Sequence, residues 1–212
     1  MHQPAYHSSP RQMITQETIQ DLSALGLIRK MASYAVQECL SFAAWKMPGQ
    51  TNIMMLISDS AAWQESVSPE HEKGGFAFAP FNPSSPKLYL PATHLLKFAE
   101  CKITEITSHN LLERLEEGES PVTQVHAGPS DSFDEPEIPY RDLVEKYIRE
   151  IQSGRVQKVV ASRCKKVGLP PGSDPVILFG KLTEAYPDAM VSLVSSPECG
   201  TWIGATPESL VE

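Results

Sequence analysis

Two apolar runs separated by a polar turn place the strongest constraint on what this chain can fold into. The runs "SFAAWKM" and "NIMMLIS" flank "PGQT" within residues 41–58. Runs of this length and composition, joined by a Pro-Gly turn, predict a β-hairpin. A second pair, "AMVSLVSS" (189–196) and "GTWIGA" (200–205), is joined near "PECG" and predicts another hairpin. Antiparallel strand pairs are therefore expected in both halves of the chain.

Helical spacing of apolar residues predicts three helices. They cover residues 15–39, 141–154 and 173–187. Gly154 stands where a helix commonly ends on a glycine cap, whereas Asp174 and Pro175 are typical of a helix start. Pro187 then predicts the end of the third helix.

Further strands are predicted around these helices, at residues 74–81, 87–91 and 156–163. Residues 93–115 show no decisive period, and residues 1–14 resemble a loose tail. A mixed order of helices and strands predicts an α/β or α+β fold, with layered mixed sheets and helices outside.

Residues 117–139 differ in composition from the rest. They contain Pro121, Pro129, Pro136 and Pro139 together with several acidic residues. Prolines at this density interrupt regular structure, so the segment is predicted to be a linker or a long surface loop.

Net charge, apolar runs and cysteine spacing argue against nucleic acid, a membrane and zinc as partners of this chain. The 212 residues carry a formal net charge of −8, which argues against nucleic acid or an anionic membrane surface as the main partner. No apolar run approaches the roughly 18 residues of a membrane span, and no signal peptide is evident. The four cysteines show no CxxC spacing, so we expect reduced thiols, a cytoplasmic protein and no zinc site.

A lysine lies at the centre of the strand predicted from "VQKVVASR" (156–163). Side chains alternate along a strand, so Lys158 would share a face with Val156 and Val160. One interpretation is an exposed strand lysine, which is common. The other is a buried lysine, because burial disfavours the charged form, and a lysine whose pKa falls to roughly 7–8 can act as a general base.

Glu208 follows a turn that restricts the backbone. In "WIGATPESL", Gly204 ends the predicted strand and Pro207 comes directly before Glu208. Because proline fixes its own φ, the turn would hold the carboxylate in a defined place. A surface turn residue is the alternative, and the spacing alone does not exclude it.

These two motifs, in this order, resemble a known family. "KVVASR" followed by "GTWIGATPESL" is similar to the chorismate-utilising enzymes, which include isochorismate, salicylate, anthranilate and aminodeoxychorismate synthases. The resemblance covers residues 140–212, with less specific support from "FAAWKMPG" and "GGFAFAPF". It implies that residues 1–212 form the N-terminal part of a single chorismate-binding domain, with chorismate as the small-molecule substrate.

The resemblance also implies a role for one residue of each motif. In the water-adding members, the lysine of the first motif is the general base and the glutamate of the second is the general acid. These positions are Lys158 and Glu208 here. Anthranilate synthases typically carry glutamine at the lysine position, so Lys158 favours an isochorismate or salicylate synthase.

The expected function is therefore that of an isochorismate synthase, an isomerase that adds water at C2 of chorismate and removes the C4 hydroxyl. Its product would feed menaquinone or siderophore biosynthesis. Two alternatives remain open, a salicylate synthase of the same family and a non-catalytic fragment that retains the motifs.

Magnesium is the cofactor that the resemblance implies. In the family, Mg²⁺ joins the substrate carboxylate to two glutamates, which are expected beyond residue 212. The chain ends at "ESLVE", in what resembles the start of a strand, so we expect it to be truncated. By themselves, residues 1–212 would then be inactive, and an unpaired strand edge would favour self-association.

Overall fold

In the described part of the chain, one helix is followed by seven strands, then by two helices and two further strands. The computed structural model describes residues 23–67, 74–99, 102–106, 111, 114–115, 125–128, 140–162 and 167–207. In chain order, the elements are α1 (Ala24–Gln37), β1 (Ser41–Lys46), β2 (Ile53–Ser58), β3 (Ala62–Gln64), β4 (Gly75–Phe78), β5 (Lys87–Pro91), β6 (His94–Ala99), β7 (Lys102–Ile106), α2 (Tyr140–Gln152), α3 (Pro175–Ala185), β8 (Met190–Ser196) and β9 (Gly200–Thr206).

The chain divides into two compact units. The first comprises Met1–Pro129 and Gly172–Glu212, and the second comprises Ser130–Pro171. All nine described strands belong to the first unit, and α2 is the helix of the second. None of the described helices combines the length and the apolar character of a membrane span.

The first unit is built on two antiparallel sheets. The larger has six strands in the order β7-β6-β2-β1-β8-β9, and the smaller has three in the order β3-β5-β4. Both predicted hairpins are confirmed, since β1 pairs with β2 and β8 pairs with β9. Strand β1 also pairs with β8, from Phe42 opposite Ser195 to Lys46 opposite Val191. The two hairpins thus form one continuous sheet. Of the two predicted classes, α/β and α+β, the structure has α+β, and the prediction of mixed sheets is wrong, because every described strand pair is antiparallel.

The six-stranded sheet is covered on both faces, which explains why its central strands carry apolar side chains on both faces. Along β1, Phe42 and Ala44 pack with helices α1 and α3, whereas Ala43 and Trp45 face the smaller sheet. This is the two-residue alternation of a pleated strand. Burying a large apolar side chain contributes roughly 1.5–3 kcal/mol, so both faces stabilise the sheet.

The segment with no decisive period forms two strands. Strands β6 and β7 pair with each other, with an irregularity in register between Lys97 and Phe98. Strand β6 is also bonded to β2, with His94 opposite Ile57. The predicted strands at 74–81 and 87–91 are confirmed as β4 and β5.

Helix α1 begins later than the periodicity predicts. The Ser23 side chain accepts a hydrogen bond from the Gly26 N–H at 3.1 Å, which makes Ser23 the N-cap. Apolar residues of α1 then face the core, among them Leu27, Ile28 and Met31. The predicted residues 15–22 lie outside the described part of the chain.

The predicted start of helix α3, with Asp174 as its N-cap and Pro175 as its first residue, is confirmed. One Asp174 carboxylate oxygen accepts hydrogen bonds from the N–H groups of Val176 at 2.8 Å and Ile177 at 3.2 Å. The other oxygen lies 2.7 Å from Nε of Arg29 in helix α1, and the Asp174 side chain is buried. Asp174 therefore caps one helix and ties it to another.

The second unit contains the predicted helix but not the strand that was predicted to follow it. Gly154 adopts a φ of 76° just after α2, as expected for a glycine cap. Residues 156–162 are not in a strand, so that prediction is wrong for the described residues. A strand forms only against a partner that accepts its backbone hydrogen bonds, and the described part of this unit contains no other strand.

Asp174→Ala should destabilise the protein more than Asp174→Asn. Alanine removes the cap and the ion pair, whereas asparagine keeps an oxygen that can accept from the helix N–H groups. We expect the free energy of unfolding, measured by urea denaturation, to fall by roughly 2–3 kcal/mol for alanine and by clearly less for asparagine. Equal losses would show that the charge on Asp174, and not its capping bonds, stabilises this junction.

Candidate functional site

The chain that leads to Lys158 is held by contacts at the end of helix α2. The Arg155 guanidinium bonds both carboxylate oxygens of Glu150, with Nε–Oε2 at 2.8 Å and Nη2–Oε1 at 3.0 Å. Arg155 Nε also donates to the Ser153 hydroxyl at 3.1 Å. A bidentate arginine–carboxylate pair has a defined geometry, so the backbone is held in place three residues before Lys158.

Lys158 itself is exposed, which corrects the prediction of a buried lysine. Its neighbour Val160 is 78% exposed, and Val156 is also exposed. The valines were the reason for predicting burial, but without a strand they do not form a covered face. The interpretation of Lys158 as a buried, desolvated lysine is therefore wrong for this structure.

Glu208 lies outside the described residues, and the structure shows only the chain that leads to it. Strand β9 is paired with β8 along its whole length, from Gly200 opposite Ser196 to Thr206 opposite Met190. Pro207 follows and is exposed. The expected pairing of Lys158 with Glu208 therefore stays a prediction, because only Lys158 is among the described residues.

Lys46, a residue that the sequence analysis did not single out, is a buried lysine of the six-stranded sheet. Lys46, at the end of β1, is 5% exposed. Its Nζ donates to the Pro187 carbonyl oxygen at 2.7 Å, just beyond the end of α3. Lys46 has a structural role, because this hydrogen bond joins the end of β1 to the chain that follows α3. The sequence gives little indication that Lys46 is buried, because a lysine close to a turn resembles a surface residue.

One comparison with known proteins decides the family. The family model described as chorismate binding enzyme matches residues 55–212 of this chain. The chain belongs to the chorismate-binding enzymes. No curated protein and no solved structure matches it. The match includes both motifs found by sequence analysis, and it indicates chorismate as the small-molecule substrate.

The described residues of this chorismate-binding enzyme contain no cluster of three or more potential metal ligands. Among them, no three His, Cys, Asp or Glu side chains lie close enough together to hold a metal ion. Mg²⁺ prefers oxygen ligands in an octahedral arrangement and is usually bound through one or two carboxylates together with substrate groups. Magnesium ligands beyond residue 212, which the family resemblance implies, stay a prediction.

A cluster of polar groups near the β8–β9 turn was missed by the sequence analysis. Ser195 and Ser196 are fully buried, and the Ser41 hydroxyl donates to the Ser196 hydroxyl at 2.8 Å. The Ser195 hydroxyl is bonded to Thr201 at 2.8 Å and to the backbone N–H of His126 at 3.2 Å. His126 belongs to the predicted linker, so part of that segment lies against the sheet.

The two described cysteines are free thiols. Cys39 is exposed, and Cys199 is buried beside the β8–β9 turn. Burial raises the pKa of the Cys199 thiol, and the negative charge of Glu198 raises it further. A thiol with a raised pKa is a poor nucleophile, so Cys199 has no evident catalytic role.

His94, at the start of β6, lies in surroundings that lower its pKa. Burial lowers the pKa of His94 below its usual value of 6.5, the positive charge of Arg114 lowers it further, and Asp59 opposes both effects. Its Nδ1 is buried without a hydrogen-bond partner among the described residues. The hydroxyl of Thr93 lowers the pKa of Asp59 below 3.8, so Asp59 stays charged near neutral pH.

The pKa shift of His94 predicts that the protein becomes less stable as the pH falls below about 6.5. In that range the unfolded chain binds a proton on this residue more readily than the folded chain does, so acid favours unfolding. Urea denaturation between pH 7.5 and pH 5 should show a smaller loss of stability for His94→Gln than for the wild type. Identical pH dependences would mean that His94 does not contribute to this loss.

Proposed function

We propose that this chorismate-binding enzyme is an isochorismate synthase. The observation that carries the proposal is a lysine, not a glutamine, in the "KVVASR" motif within the matched residues 55–212. The Lys158 side chain is exposed. No ion pair or hydrogen bond to the rest of the described chain occupies its ammonium, unlike that of Lys46. Lys158 is therefore accessible to a substrate.

In the proposed reaction, Lys158 is the general base and Glu208 is the general acid. Lys158 takes a proton from a water molecule, whose oxygen forms a bond to C2 of chorismate. The ring double bonds shift, and the bond from C4 to its hydroxyl breaks. Glu208 donates a proton to that departing oxygen, which leaves as water. Protons and atoms balance, and the product is isochorismate.

An exposed lysine can serve as this base only if substrate binding changes its surroundings. In water the ammonium form is favoured, and only the neutral amine can accept a proton. A chorismate ring lying against Lys158 would displace water, and desolvation disfavours the charged form. In this proposal the bound substrate, and not a buried strand, removes water from the Lys158 side chain.

Two negatively charged carboxylates on chorismate need positive charge at the site, because the chain itself carries a net charge of −8. We propose Mg²⁺ as that charge, with ligands outside the described residues. No proton transfer described above passes through the metal ion.

Replacing Lys158 tests the proposed role directly. The protein is expressed from its complete reading frame and incubated with chorismate and Mg²⁺, and the products are separated by HPLC. Lys158→Gln should lower the rate of isochorismate formation by roughly a hundredfold to ten-thousandfold, the usual contribution of a general base. Lys146→Gln, at an exposed lysine of α2, is the matched control and should keep the wild-type rate.

Other products or no product would each contradict the proposal. Salicylate as the main product would identify a salicylate synthase, and anthranilate formed with added ammonia would identify an amine-transferring member. A wild-type protein that is folded but does not convert chorismate would indicate a non-catalytic relative. Near wild-type isochorismate formation by Lys158→Gln would remove Lys158 from the mechanism.

A further inference from the structure

Leu111 and Leu115 lie against the face of the six-stranded sheet that packs with helices α1 and α3. Both side chains are buried and belong to the core cluster on that face. Neither residue lies in an α-helix or a strand, so neither is fixed by a ladder of strand hydrogen bonds. Parts of a protein attached in this way open more readily than its core strands.

Arg114, next to Leu115 in sequence, provides a polar link to helix α1. Its Nη1 donates to the Tyr34 hydroxyl at 3.4 Å, and the residue is exposed. A hydrogen bond of this length, in contact with water, is weak. We name Leu111, Arg114 and Leu115 the Arg114 segment, and its attachment depends mainly on the two leucines.

The imidazole ring of His94 lies on the same face of the sheet. In the β2–β6 pair, His94 is opposite Ile57, and opposite residues of an antiparallel pair project to the same face. Ile57 belongs to the core cluster that contains Leu111 and Leu115. Leu96, two residues further along β6, belongs to that cluster as well. The ring and the Arg114 segment are therefore on the same side.

A proton on the inner nitrogen of this ring has no acceptor. Nδ1 of His94 is buried without a hydrogen-bond partner among the described residues. In the protonated ring both nitrogens carry a hydrogen, so Nδ1 becomes a buried donor with nothing to bond. An unsatisfied buried donor disfavours the state that contains it. The attached form of the Arg114 segment thus favours a neutral His94.

The charged groups around His94 belong to other elements of the first unit. Burial lowers the pKa of His94, the positive charge of Arg114 lowers it further, and Asp59 raises it. Asp59 lies in the turn after β2, and its Oδ1 accepts a hydrogen bond from the Thr93 hydroxyl at 2.7 Å. From α1, Tyr34 and Glu38 act on Arg114. The net effect is a pKa below 6.5 for His94.

We propose that the Arg114 segment is a pH-sensitive element of the fold, which detaches from the sheet more often once His94 is protonated. Detachment exposes the ring to water, which bonds both of its N–H groups, and it removes the charge of Arg114 from the neighbourhood. Protons therefore bind the detached form more readily and shift the equilibrium toward it. The strands keep their hydrogen bonds, so the opening is local. This inference is independent of the reaction proposed above.

Linkage limits the size of the effect. In the detached form the ring is in water, where a histidine has a pKa of about 6.5. Such a group is protonated about ten to one at pH 5.5 and is mostly neutral at pH 7.5. The equilibrium constant for opening should therefore rise by at most about tenfold between these two pH values, and it should change little above pH 7.5.

Hydrogen exchange followed by mass spectrometry tests the proposal on protein expressed from its complete reading frame. Exchange at pH 7.5 and pH 5.5 is corrected for the intrinsic rate at each pH. Peptides that contain Leu111 and Leu115 should show the rise in the opening constant, whereas peptides from β1 and β8 should not. In His94→Gln, which cannot gain a charge, the rise should be absent. A rise of equal size in every peptide, or a full rise in His94→Gln, would overturn the proposal.

Two neighbouring charges provide variants with opposite expected effects. Arg114→Gln removes a positive charge, so the pKa of His94 should increase toward 6.5 and the pH-dependent rise in opening should become smaller. Asp59→Asn removes a negative charge and keeps an oxygen for Thr93, so the pKa should decrease and the rise should become larger. An NMR titration of the imidazole signals measures the pKa in each variant.

The comparison uses the ratio of opening constants at the two pH values, because Arg114→Gln also removes the bond to Tyr34 and increases opening at every pH. If His94→Gln does not fold, these two variants still contain the histidine and test the proposal by themselves. Ratios that equal the wild-type value in both variants would show that His94 does not control the attachment of the Arg114 segment.

Discussion

The covering of the six-stranded sheet on both faces is the constraint on which the rest of the first unit depends. Strand β1 lies between β2 and β8 and contributes apolar side chains alternately to the helix side and to the smaller sheet. A strand in this position cannot expose a polar side chain to water, so each polar group must find a partner. Lys46 does so at the Pro187 carbonyl oxygen, and Ser41 does so at the Ser196 hydroxyl.

Local signals in the sequence predicted local structure well. The β1–β2 and β8–β9 hairpins, the Asp174 cap and the Gly154 cap each depend on a few neighbouring residues, and all four are present. The pairing of β1 with β8 was not predictable in this way, because it joins residues far apart in sequence. Strands β6 and β7 were also missed, because a segment with no decisive period becomes a strand only when β2 supplies a partner.

The candidate site was predictable only where a short stretch of sequence carries the signal. The motifs that contain Lys158 and Glu208 led to the chorismate-binding family, which the comparison confirms for residues 55–212. The exposure of Lys158 was not predictable, because whether residues 156–162 form a strand depends on a partner strand that their own sequence does not specify. His126 was missed because it lies among prolines, and its bonding partners, Ser195 and Thr201, follow roughly seventy residues later.

The pairing of β1 with β8 has a consequence for how the chain folds during synthesis. Ser41 and Ser196, which are hydrogen-bonded across this pair, are 155 positions apart. At about 5–20 residues per second, a ribosome needs roughly 8–30 s to reach β8 after it has made β1. During that interval the β1–β2 hairpin can form, but the edge of β1 that later receives β8 has no native partner. Contacts between distant residues also form slowly once the chain is complete. The strand at the centre of the finished sheet is therefore, for many seconds of each synthesis, an open edge vulnerable to aggregation.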